Sequence, residues 1–224
     1  MGLFSRRRSR PAREQAASTP PEGAPSASED PIFPVFQTVA PMPSETVEQY
    51  AGQLPEPALR MWRMHGVGLV GDGFVRVIDP VAFQAASGVT LRAGVPLFLT
   101  ALNDTIVWIP DSGTFTAMKL RWSAMDIVST PSEDFEQTLR RFGDPEYQLR
   151  VLESRHYTEA VGRLGVPAIT DGFAYRLPLA MGGKHSSSEL VVGTSVVTQA
   201  LLLQAEPPVL RYYSPSQVEP REDY

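Results

Sequence analysis

The residues of this chain whose types could do chemistry are three histidines, His65, His156 and His185, and four carboxylates in turn-like stretches, Asp72, Asp104, Asp111 and Asp126. The histidines show no HExxH pattern and no other paired metal spacing. His65 ends a helical pattern, where a positive charge is favoured by the helix dipole. His185 precedes Ser186, Ser187 and Ser188, which would suit hydroxyl activation, but no G-x-S-x-G elbow presents a nucleophile. Aspartates in turns ordinarily satisfy backbone N–H groups. If the four meet in space they form an acidic face, which their spacing alone does not reveal. Cysteine is absent, so disulfides, thiolate nucleophiles and cysteine-based metal sites are excluded. The residues show no catalytic constellation, no cofactor site and no metal site, and by themselves they lead to no expected activity. A cluster of Asp and His in a deep pocket would point to an enzyme.

Two glycine motifs need their context. Gly66-Val67-Gly68-Leu69-Val70-Gly71 satisfies G-x-G-x-x-G. A dinucleotide site places such glycines after a strand and at the start of a helix. Here a helical pattern precedes and a strand follows, so the motif reads as a flexible helix-to-strand turn. Gly182-Gly183-Lys184 resembles a phosphate loop, but Pro178 stands where the first glycine is needed and His185 where Ser or Thr is needed. It reads as a loop between two strands.

The elements around these residues follow from periodicity. Ser44 can cap a helix running to about Leu54, and Pro55 and Pro57 suit the first turn of the next, whose stripe holds Leu59, Trp62 and either Met61 or Met64. Gly66 stops it. Phe74–Ile78 reads as a strand, then Asp79 as N-cap and Pro80 at N1 of a helix that turns Phe83 inward. Leu97–Leu102, Ile106–Ile109, Thr114–Leu120 and Met125–Val128 read as an antiparallel meander. Thr130-Pro131-Ser132-Glu133 has the form of a capping box for a helix with Phe135, Leu139 and Phe142. Short helical pieces follow at Tyr147–Leu152 and Tyr157–Leu164. Phe173–Leu179 and Glu189–Val192 read as strands, and Thr194–Gln204 as a last apolar helix. The fold class expected is α+β, a central antiparallel sheet or meander flanked by short helices.

Composition sets the outer limits. Residues 1–31 are rich in Pro, Ala, Ser, Glu and Arg and cannot bury enough surface to offset ordering entropy, so they read as a disordered basic arm. Residues 207–224 read as a flexible tail. No apolar run approaches the roughly 18 residues of a membrane helix, and the Arg6–Arg8 run permits at most weak membrane contact. Net charge is −5 over 224 residues. Residues 1–43 are slightly basic, and residues 44–206 carry thirteen basic against eighteen acidic side chains. An acidic body disfavours nucleic acid as partner and favours a basic protein. A cytoplasmic location fits the lack of cysteine.

The stretch Leu54-Pro55, Leu59, Trp62, Gly66, Gly73-Phe74, Ile78-Asp79-Pro80 and Phe83, continued by FLTALNDTIVWIP (98–110), resembles the GAD-like module at the front of bacterial proteins related to type VI secretion immunity proteins. DGFAYRLPLAMGGKHSSSELVVGTSVVTQALLLQ (171–204) looks like that family's C-terminal module. The resemblance implies an N-terminal module over 32–128 and an immunity-type module over 129–206 packed on it. It implies a non-catalytic antitoxin-like protein that binds a toxin or effector, a DNase among the candidates. Asp72, Asp104 and Asp111, with Lys184 and His185 of the glycine loop, are the expected partner contacts. The alternative is a general interaction or regulatory module tethered through its basic arm.

Overall fold

The apolar runs between 95 and 128 form the expected meander, and it is extended on both edges. Strands β1 (Phe36–Ala40), β2 (Val67–Val70), β3 (Val75–Val77), β4 (Val95–Thr100), β5 (Thr105–Ile109), β6 (Thr114–Lys119) and β7 (Ala124–Ile127) pair antiparallel in sequence order. The computed structural model describes residues 30–88, 94–205 and 209–211. The arm expected over 1–31 therefore lies almost wholly outside the described residues. So does the tail over 207–224, except that Val209–Arg211 pairs in parallel with β7 as an edge strand.

Helices α1 (Ser44–Tyr50), α2 (Glu56–His65), α3 (Pro80–Ser87), α4 (Phe135–Arg141), α5 (Pro145–Arg150) and α6 (Arg155–Leu164) come before a separate hairpin, β8 (Asp171–Tyr175) with β9 (Leu190–Thr194). Helix α7 (Ser195–Ala205) and β10 (Val209–Arg211) complete the order. The class is α+β. Among the described residues no helix is long and apolar enough to cross a membrane.

The period of two along the strands separates two faces. Ile106, Trp108, Phe115 and Ala117 belong to one large cluster with Tyr50, Trp62, Leu139 and Phe142, and that cluster runs from Ile32 to Leu190. Val107 and Met118 face the other way, onto Leu202 and Leu203 of α7. Trp62 is thus an anchor of the main core, while Phe83 anchors a smaller cluster with Ile78 and Leu99. Arg76 of β3 is fully buried and donates to the carbonyls of Gly73, Pro167, Ala168 and Asp171, tying the segment before β8 to the sheet. Burial pulls its pKa down to about 10.

Several local expectations are corrected. The glycine motif is not a turn: Val67–Val70 is strand β2, and the turn follows at residues 71–74. A Cβ on Gly68 would stand 2.2 Å from the Gln37 carbonyl oxygen, so glycine here permits close pairing with β1. Gly66 has φ +71° and would clash with the Ala40 carbonyl at 2.3 Å. The capping box at Thr130 does not form. Glu133 is drawn to Arg141 at 3.0 Å, and Asp134 is the N-cap, its Oδ1 accepting from the Gln137 N–H. Ser44 lies inside α1, with Pro43 at the cap position. Asp79 is the cap expected, its Oδ1 accepting from the Val81 N–H at 2.9 Å.

Candidate functional site

Strand direction decides which turn residues meet. Successive strands alternate, so the β2–β3, β4–β5 and β6–β7 turns share one end of the sheet and the β5–β6 turn lies at the other. Asp72 and Asp104 therefore sit at the end that Asp111 does not reach. The C-terminal elements close the shared end. Asn103 Nδ2 donates to the Phe173 carbonyl at 3.0 Å, and the Tyr157 hydroxyl donates to the Asp72 carbonyl at 2.6 Å.

A network of charge lies beneath that end. Asp104 is 1% exposed, and its Oδ2 accepts from Arg121 Nη1 at 2.6 Å. Arg121 Nη2 reaches Glu153 Oε2 at 2.8 Å. Lys119 Nζ contacts Glu153 Oε1 at 2.7 Å and Asp126 Oδ2 at 3.0 Å. Trp122 Nε1 also donates to Glu153, at 3.0 Å. Glu153 adopts φ +57°, a conformation uncommon outside glycine, asparagine and aspartate, and its side chain collects three donors. Beside it, His156 Nδ1 and the Tyr175 hydroxyl are 2.8 Å apart. The His185 ring lies 4.2 Å from that of His156 and 5.1 Å from Trp122, which docks the 182–188 loop on the network.

Burial shapes the titration of these groups. It pushes the Asp104 carboxyl up to about 7 against the pull of Arg121 and Lys119. Its Oδ1 has no hydrogen-bond partner among the described residues, in keeping with a carboxylate that is poorly solvated. Burial would also raise Glu153, but Arg121 and Lys119 hold it well below the usual carboxylate range. Burial lowers His156, and it lowers His185 to about 4, with help from His156 and Arg121. Both imidazoles are neutral at pH 7.

The expected partner contacts thus separate. Asp104 is corrected from an exposed contact to a buried ion-pair member, because the chain returns over it. Asp72 is exposed, with Oδ1 capping the Phe74 N–H at 3.1 Å. Asp111 is exposed at the far end, Lys184 is exposed, and His185 is half-buried. Asp72, Asp104, Asp111 and Asp126 do not meet as an acidic face, since Asp104 and Asp126 pair with Arg121 and Lys119 and Asp111 lies at the other end of the sheet. Lys119, Arg121, Glu153, His156 and Tyr175 were not legible as members. The signal available was the parity of the meander turns, which places residues 101–104 beside 120–123.

Two concavities lie away from this network. An open groove of about 630 Å³ runs between β1, α1 and α2, lined by Thr38, Pro41, Met42, Val47, Glu48 and Met64 among others. His65 borders it, but its Nε2 accepts from the Phe33 N–H at 3.2 Å and burial lowers its pKa. Burial thus outweighs the pull of the helix dipole on this side chain, whose ring is tied to the segment before β1. A smaller cavity of about 200 Å³ lies among Trp108, Phe115 and Phe135. Neither concavity is lined by the charged network. Among the described residues no group of three or more His, Asp or Glu side chains is placed to hold a metal ion.

Comparison with known proteins bears on fold and family. No curated protein matches the chain. The crystal structure of Atu4351 from Agrobacterium tumefaciens is similar to it, with a TM-score of 0.67 over 84% of this chain and 92% of that one. Sequence identity is 14%, so this likeness establishes the fold alone. The family comparison is local to the groove and most of the sheet, from β1 through β6. Residues 32–120 match the model of the GAD-like domain.

Proposed function

We propose that the chain is a non-catalytic binding protein of the immunity type, which neutralises a toxin, in the first instance a nuclease, by one-to-one contact. The observation that carries this reading is the open groove between β1, α1 and α2, which lies within the GAD-like span. Its rim carries an exposed carboxylate, Glu48, while the side chains fit for acid–base work are engaged in internal ion pairs and ring contacts. A basic toxin would be steered by the acidic body and blocked sterically on contact.

Co-expression tests it. The full chain is produced in cells together with toxin genes encoded beside its own gene. Rescue of growth, with recovery of a one-to-one complex, is the result expected. Absence of both rescue and complex across those toxins would sink the reading.

A further inference from the structure

We propose that the groove takes a basic segment of the partner protein, anchored by large apolar side chains. This rests on the binding reading above and assigns its contact surface and chemistry. The floor is apolar and adaptable. Met42 and Val47 line it, and Met64 is 42% exposed although Met61 and Trp62 on the same helix are fully buried. Methionine accommodates irregular apolar surfaces because its side chain is unbranched and polarizable. Trp62 also lines the groove, and its buried indole Nε1 has no hydrogen-bond partner among the described residues.

The rim supplies the sign of charge. Glu48 lines the groove, and Glu45 is exposed on the first turn of the same helix. Neither forms an ion pair among the described residues. Arg63, the arginine of the lining, is already engaged by Glu56 at 2.6 Å. The free charge at the rim is therefore negative, and it complements Lys or Arg flanking an apolar anchor. The volume suits a few side chains rather than a folded domain.

Methyl NMR of the full chain labelled at its seven methionines tests the proposal. The probes are two synthetic peptides with the same Leu and Phe positions, one filled with Lys and Arg and the other with Glu. The basic peptide should shift Met42 and Met64 and leave Met118 and Met181 in place. The double variant Glu45→Lys/Glu48→Lys, confined to exposed positions, should bind it at least about tenfold more weakly, as like charges are then juxtaposed. Equal binding of the acidic peptide overturns the proposal, as do shifts confined to Met118, Met125 or Met181. Concentration-dependent shifts of Met42 and Met64 without peptide also overturn it, since a second copy would then be the occupant. A toxin complex that survives the double variant and Met64→Asp unchanged refutes the groove while leaving the binding reading intact.

Discussion

Arg121 at the charged end of the sheet is 3% exposed and holds Asp104 and Glu153, whereas Arg63 on the groove side is 53% exposed and, among the described residues, pairs with Glu56. Both are arginine–carboxylate contacts near 2.6 Å. Their environments make them different objects. An exposed pair is screened and contributes about 0–1 kcal/mol. A buried pair gains little over an apolar replacement, but losing one partner strands the other charge in a poor solvent. Charge at the closed end therefore fastens the C-terminal elements to the sheet, and charge at the groove is left available to another molecule.

The largest effect should come from breaking the buried pair on one side. Arg121→Met should cost about 3–5 kcal/mol of unfolding free energy, because Asp104 and Glu153 lose their common cation. Adding Asp104→Leu should recover part of that loss. Arg63→Met should cost less than about 1 kcal/mol. Denaturant unfolding of the four proteins measures all of it. Equal costs for Arg121 and Arg63 would erase the distinction drawn between the two ends.

On the groove side the sensitive feature is backbone proximity. Gly68→Ala places a methyl group 2.2 Å from the Gln37 carbonyl and 2.7 Å from the Phe36 ring. Overpacking of this kind costs about 1–3 kcal/mol. The loss should be local, with faster amide exchange over 36–40 and unchanged protection in β5 and β6. Uniform loss of protection would show that β1 is integral to the sheet and not a separable edge.

Acidification perturbs the charged end more gently. His185 has a folded pKa near 4 against 6.5 for the free side chain, so the folded state binds fewer protons between those values. Stability contributed by its neutral form is present above pH 6.5 and is lost as pH falls toward 4. Asp104 acts in the opposite sense: its folded pKa near 7 exceeds the ordinary 3.8, so its contribution is full at low pH and is lost as pH rises through 7. The two partly cancel in wild type. His185→Gln should remove one of them, leaving a protein that loses less stability between pH 6.5 and 4. An unchanged pH profile would show that His185 is not held in its neutral form by the 182–188 loop contact.

Much of the fold was legible because the strands obey a simple period. The runs between 95 and 128, the Asp79-Pro80 helix start and the buried Trp62 all followed from local pattern. The glycine stretch 66–71 was misread because its meaning depends on β1, a partner distant in sequence that presses its backbone against Gly68. Asp134 takes the cap that Thr130 was expected to hold, its Oδ1 accepting from Gln137 N–H while Glu133 pairs with Arg141 at the end of the same helix. Of the charged network only the nearness of residues 101–104 to 120–123 was legible, from the parity of the turns. Glu153 comes from the loop before α6, His156 from α6 and Tyr175 from β8, and nothing in their spacing announces Arg121 as their neighbour. Asp104 looked like any turn aspartate, since burial by a later segment leaves no mark on the sequence around it.

The smallest effect belongs to Asp111, and it sharpens the comparison from the other side. This aspartate occupies the β5–β6 turn, at the end of the sheet opposite Asp104, and it is exposed. Asp111→Lys should change unfolding free energy by no more than about 0.5 kcal/mol, the range usual for surface positions without a special role. Its influence on a partner should be confined to the long-range field, a modest slowing of association that vanishes with added salt. A variant that instead accelerates dissociation at high salt would place Asp111 in direct contact with the partner. The binding surface would then extend to the β5–β6 turn, and the groove could not be its whole extent.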